Sequence, residues 1–158
     1  MATAGAVGNI AQTIKKVGMI FPQAIKNNTE WVGSKGSTPV SVDTAASGVK
    51  AHYATITFMV GETDIAVATL KVWHSDDDST YAEMVDFGTN GTKPSATDDN
   101  GLFGFDIDLR GKRRYLQIEA IAGNGTNGTY AAALCDLFLL NEAPSSDAER
   151  GYAQTVKA

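Results

Sequence analysis

Histidine is the scarcest chemically useful residue in this chain, present only as His52 and His74. Two histidines far apart in sequence cannot build a zinc centre alone. No Cys-x-x-Cys or His-x-x-x-His spacing exists to help them. The single cysteine, Cys135, excludes an internal disulfide framework. It stands in the most apolar stretch of the sequence, where a thiol behaves as a small hydrophobe rather than a nucleophile. No apolar run approaches the roughly 20 residues that carry a helix across a bilayer. No charged-then-apolar leader with a cleavage site opens the sequence, so neither a membrane nor general secretion is expected. Cations are outnumbered, 13 Lys and Arg against 18 Asp and Glu, for a formal net charge of −5. That balance argues against nonspecific nucleic-acid binding, which depends on clustered cations neutralising phosphates. A Gly-x-Ser-x-Gly elbow, a P-loop and a dinucleotide fingerprint are all missing, because the Gly-rich run 123–128 has no helix after it. The expectation is therefore a protein without catalytic residues, metal or cofactor.

What the sequence does have is glycine, sixteen of them, many beside Asn, Ser or Thr, and several runs of period-2 alternation. Phe103, Phe105, Ile107 and Leu109 alternate with Asp106 and Asp108. After a basic turn, Leu116, Ile118, Ala120 and Ala122 alternate with Gln117 and Glu119. Each pattern predicts a strand that buries one face and wets the other. Tyr130 to Leu140 is apolar at nearly every position, which suits a strand covered on both faces or one at a subunit contact.

Upstream, residues 51–60 predict a strand with Ala54, Ile56, Phe58 and Val60 on one face and Thr55 and Thr57 opposite. A turn at 61–64 leads to a strand over 65–74, with Leu70, Val72 and His74 inward and Lys71 and Trp73 outward. Residues 81–87 predict a short strand and 88–100 a polar loop. Residues 40–42 form a short strand, and 13–25 an extended segment interrupted by Gly18 and Pro22. The sum is an all-β, antiparallel two-sheet sandwich or jelly roll of about eight strands. Residues 13–140 make one domain, and 158 residues are enough for one core. Residues 1–12 are expected as an N-terminal arm. Residues 141–158 are expected as a tail reaching beyond the core, with one helical turn near 147–152.

The polar clusters have simple explanations. Asp76-Asp77-Asp78 and Asp98-Asp99 can supply oxygens to calcium, but they lack the spacing of an EF-hand, so solvated turns are favoured. Asp106 and Asp108 stand two apart because a strand alternates. His74 is expected to end its strand with the ring satisfied by the acidic turn. Four Asn-x-Thr sequons, starting at Asn27, Asn90, Asn124 and Asn127, are explained as turn chemistry. The basic run 110–114 fits a solvated turn or a protein contact, which makes Arg113 and Arg114 interface candidates. Trp31, Trp73 and Tyr130 join them, since aromatics are enriched at binding hot spots. Unpaired sheet edges offer a further route to subunit contact, by strand addition.

Two runs carry a resemblance. Leu70-Lys-Val-Trp-His-Ser-Asp-Asp-Asp-Ser-Thr-Tyr81 resembles the L-x-V-x-x-S-D-D-x-S-x-aromatic stretch of small proteins encoded among tailed-bacteriophage and prophage head genes. Gly111-Lys-Arg-Arg-Tyr-Leu-Gln-Ile-Glu-Ala120 is similar to their G-x-[KR]-R-Y-L-[RQ]-[IV] stretch, followed here too by a Gly/Thr-rich turn and a last apolar strand. The resemblance spans residues 51–140. It implies a capsid decoration or cement protein: a β-sandwich, homo-oligomeric, made in the host cytoplasm and docked on the outer surface of the major capsid protein in the virion. That family offers no catalytic residues to carry over. The alternatives are a carbohydrate-binding jelly-roll module, or another virion part such as a head-fibre or tail component.

Overall fold

The computed structural model describes residues 13–26, 30–31, 40–46, 48, 50–139 and 152–158. Among these residues ten strands and one helical turn follow in order: β1 (Thr13–Ile25), β2 (Glu30–Trp31), β3 (Val42–Asp43), β4 (Tyr53–Thr63), β5 (Val67–Ser75), β6 (Ala82–Asp86), α1 (Phe87–Asn90), β7 (Leu102–Asp108), β8 (Tyr115–Ala122), β9 (Thr129–Phe138) and β10 (Gln154–Lys157). They form two sheets. Sheet A runs β1-β9-β4-β7-β10; sheet B runs β2-β8-β5-β6, with β3 also paired to β8. All pairings are antiparallel except β10 on β7. With β2 and β3 sharing the edge of β8, six of the nine connections between successive strands cross from one sheet to the other, as in a jelly roll. The expected all-β sandwich is what the protein forms.

The alternation explains the core. Ala54, Ile56, Phe58 and Val60 of β4 face Leu70 and Val72 of β5 and Leu116, Ile118 and Ala120 of β8 across the sandwich, all fully or almost fully buried. Phe103, Phe105 and Ile107 of β7 and Ala131, Ala133, Cys135 and Leu137 of β9 complete the sheet A side. The expected strand over 81–87 stops one residue short. Asp86 caps a single helical turn through its side chain, which accepts from the Gly88 N–H at 2.8 Å. Phe87 thereby swings inward, with no exposed surface, edge-on to Phe103 and Phe105 at 5.9 and 5.2 Å.

The C-terminal expectation needs correction. Residues 154–157 do not extend beyond the core. They add β10 to the edge of sheet A, and Val156 is buried in the common core. The strand is too short to show a periodicity, and Val156 is its one large apolar residue. Backbone pairing and a glycine hold it there. A Cβ on Gly104 would lie 2.8 Å from Tyr152 Cε1 and from Thr155 Cγ2, so the missing side chain is what admits them. The Tyr152 hydroxyl also pairs with Thr57 Oγ1. The predicted N-terminal arm and the predicted helical turn up to residue 151 lie outside the described residues.

Candidate functional site

The outer face of sheet A divides into two halves. Towards the β7–β8 turn it is polar. Lys16 Nζ meets Asp136 Oδ1 at 2.6 Å, and Thr55 Oγ1 donates to Asp106 Oδ1 at 3.1 Å. Arg110 donates to both oxygens of Asp108 and to the Tyr53 hydroxyl, with its guanidinium 5.1 Å from the Tyr53 ring centroid. That fork pulls the Asp108 carboxyl down to about 2.

Towards the opposite end the face is apolar. Strand register sets Gly18 beside Leu134, and Leu134 beside Thr57. The next row joins Ala132, Met59 and Leu102. Their neighbours along each strand are core residues, so these side chains point away from the core. Phe21 lies over Gly18, where an added Cβ would stand 3.3 Å from the ring. Phe21 is 67% exposed and Tyr130 49%, and they are the large hydrophobic side chains left exposed among the described residues. Beside them a depression of ≈ 340 Å³ is lined by Pro22, Gln23, Met59, Gly61, Tyr130 and Ala132. The small residues Gly61, Ala131 and Ala132 leave the space. It is roughly twice the ~150 Å³ that admits a benzene ring.

The apolar run of β9 now has a physical account. The strand is interior to sheet A, yet the face carrying Tyr130, Ala132 and Leu134 is not roofed over as completely as its core face. Sequence reasoning found this strand and Tyr130, but missed Phe21 and the depression. Register shifts between Gly18 and Ile20 and between Ile20 and Gln23 reset the alternation of β1, so Met19 and Ile20 are both buried while Phe21 turns out. The edge of β1 itself carries Lys15, Lys16, Pro22 and those bulges, the features that discourage strand addition. The face, rather than this edge, is the candidate contact.

The remaining predicted residues are placed as follows. Trp73 is partly buried on the outer face of sheet B and donates Nε1–H to Glu119 Oε2 at 2.7 Å. Around it lie Lys71, which pairs with Glu83 at 2.8 Å and Asp86 at 3.6 Å, and the buried Gln117. This second outer face is polar where sheet A is apolar. Trp31 pairs with Ala120 through β2, and its side chain lies outside the described residues. Arg114 grips Asp43 with two bonds of 2.8 Å and lies 5.2 Å from the Tyr115 ring centroid; Arg113 meets Asp76 at 3.4 Å. The basic turn is thus largely neutralised by carboxylates from β3, β7 and the acidic turn.

The acidic turn is held by hydrogen bonds. Asp77 Oδ1 accepts from Ser75 Oγ at 2.8 Å, Ser79 N at 3.0 Å and Thr80 N at 2.8 Å, and these donors hold its carboxyl far below the usual range. Asp98 closes its own loop by accepting from Ser95 N at 2.7 Å. Among the described residues no group of three or more His, Cys, Asp or Glu is placed to hold a metal ion. His74 departs from expectation, because its Nδ1 is buried without a hydrogen-bond partner among the described residues rather than satisfied by the acidic turn. Burial, reinforced by Arg113 and Lys112, pushes its pKa down. Cys135 is fully buried, and desolvation raises its thiol well above the ordinary value.

No family model, curated protein or solved structure matches this protein.

Proposed function

We propose that this protein is a structural virion component that decorates and stabilises a bacteriophage capsid, docking on the outer surface of the major capsid protein. The observation that carries the reading is the apolar half of the outer face of sheet A, where Phe21 and Tyr130 are exposed and Tyr130 lines a depression of ≈ 340 Å³. Exposed aromatics around a concavity are what binding hot spots are made of. Support also comes from the two runs, Leu70–Tyr81 and Gly111–Ala120, that resemble phage head-gene products. The jelly-roll strand order is compatible, since viral capsid proteins and lectins both use it.

On this reading the stiff sandwich is a clamp and the apolar face its contact, with affinity raised by many copies acting on one shell. The protein is homo-oligomeric, made in the host cytoplasm, and takes no cofactor. The test uses purified shells stripped of the protein. Adding it back raises the temperature at which the shells rupture, with saturation at a fixed copy number. Shells that rupture at the same temperature at full occupancy would sink the proposal.

A further inference from the structure

Among the described strands β10 alone runs parallel to its neighbour, along the outer edge of β7. We propose that this edge is an acceptor groove for the segment Tyr152–Ala158, which it takes from its own chain or from a second copy, so that copies are joined by exchange of C-terminal strands. The proposal deepens the homo-oligomeric part of the proposed function and does not involve the shell.

The contacts that hold the segment form a recognition set confined to residues 152–158. Ala153 N–H donates to Leu102 O at 2.8 Å, Ala158 N–H to Asp106 O at 2.9 Å, and Asp108 N–H to Ala158 O at 3.0 Å. Gln154 Oε1 accepts from Thr92 N–H at 2.9 Å. Val156 is 1% exposed and fills the core beside Gly91, where a Cβ would stand 3.0 Å from its Cγ2. On the other face Tyr152 and Thr155 lie over Gly104, and the Tyr152 hydroxyl pairs with Thr57. Main-chain bonds for affinity, with pockets for particular side chains, are how strand addition recognises a peptide. None of these contacts involves the link to β9, so a tail from a second copy makes the same ones.

The link is long enough to deliver it. β9 ends at Phe138, level with Asp108 through Tyr53. β10 begins level with Phe103, at the other end of β7 and three strand spacings across sheet A. About 17 Å along the strands and about 14 Å across them put the two ends about 22 Å apart. Residues 140–151 join Leu139 to Tyr152, and that length of chain reaches up to about 45 Å. The link is thus about twice as long as the return to its own β7 requires. A tail on such a link competes at an effective concentration on the order of millimolar. Dilute protein therefore keeps its own strand, and copies crowded together exchange.

The experiment shortens the link. Deleting residues 141–148 leaves four linking residues, which reach only about 17 Å, so the tail falls short of its own β7. In sedimentation at micromolar concentration the shortened protein is expected at twice the parent's mass or more, with Asp108 N–H still protected from hydrogen exchange. Adding Val156→Asp returns it to the parent's mass. The parent's mass without that second change, whether Asp108 is protected or not, would overturn the proposal. A second measurement leaves the link intact and mixes an Asp106→Cys copy with a Lys157→Cys copy at about 1 mM in a thiol–disulfide buffer. These positions are register partners on adjacent strands, at a Cα spacing that a disulfide accepts, and Cys135 is buried away from them. Disulfide-linked pairs are expected about tenfold above those formed by Lys157→Cys with Thr97→Cys, whose residue is exposed outside the groove, and to fall about tenfold on tenfold dilution. Equal yields from the two mixtures would likewise overturn it. Neither readout uses shells, so failure here leaves the capsid reading standing.

Discussion

Replacing Gly104 by alanine tests whether β10 is an integral part of sheet A. The new methyl would arrive 2.8 Å from Tyr152 Cε1 and Thr155 Cγ2, where carbon atoms prefer about 3.5–4.0 Å. Both neighbours belong to the C-terminal segment, and Tyr152 is held to Thr57 through its hydroxyl. Either the segment moves outward or β7 bends. Overpacking of this kind costs about 1–3 kcal/mol. In a strand without that neighbour, Gly→Ala stabilises by roughly 0.4–1 kcal/mol through the unfolded state. The sign of the effect therefore depends on what lies over Gly104. Urea unfolding followed by tryptophan fluorescence reads the cost in the otherwise unchanged protein and in a Tyr152→Ala, Thr155→Ser background. The cost disappears or reverses in the second background, a coupling of about 1–3 kcal/mol. Hydrogen exchange adds an independent readout, because Asp108 N–H donates to Ala158 O at 3.0 Å and loses protection when β10 is displaced. An equal cost in both backgrounds, with Asp108 still protected, would refute the assigned role of Gly104.

Three further outcomes follow from the same structure. Phe87→Ala removes a fully buried ring packed edge-on to Phe103 and Phe105 and costs about 3–5 kcal/mol in urea unfolding; a loss below about 1 kcal/mol contradicts its place in the core. His74 has a folded pKa below its unfolded value of about 6.5, so the unfolded protein binds the extra proton between the two values. The stability it supports is complete above that unfolded pKa and is lost as pH falls through the window. The urea midpoint therefore drops on acidification more in the parent protein than in His74→Gln, and parallel pH profiles would rule this out. Cys135 stays unreactive towards a disulfide reagent until denaturant is added; fast labelling of the native protein would show that the strand opens locally.

The strands that alternate cleanly were legible on their apolar faces, but the opposite faces, expected to be wet, are largely buried as well, at Thr55, Thr57, Asp106, Gln117 and Glu119. β4, β7 and β8 each bury the face that the sequence predicts, because one residue type per face is enough to fix which side meets the core. Legibility failed where the signal is not periodic. The bulges of β1 reset its parity, so no pattern announces that Phe21 points outward. Phe87 ends a hydrophobic alternation but enters the core from a helical turn created by the Asp86 cap. β10 contributes a single large apolar side chain, and its place depends on a glycine about fifty residues earlier. The depression likewise arises from small residues on β4 and β9 that become neighbours only through register. Trp73, a candidate on composition, is turned towards Glu119 on the polar face of sheet B, a pairing set by the β5–β8 register.

The most direct measurement is co-sedimentation of the protein with shells lacking it, comparing the parent protein with a Phe21→Ser, Tyr130→Ser variant whose unfolding midpoint is unchanged. Each aromatic is worth about 2 kcal/mol if it is a hot spot, and roughly thirtyfold in affinity per residue follows. The expected result is loss of shell binding by the variant, with Trp73→Ala binding as the parent does. Full occupancy by the double variant, at the same concentrations, would contradict the assignment of this face.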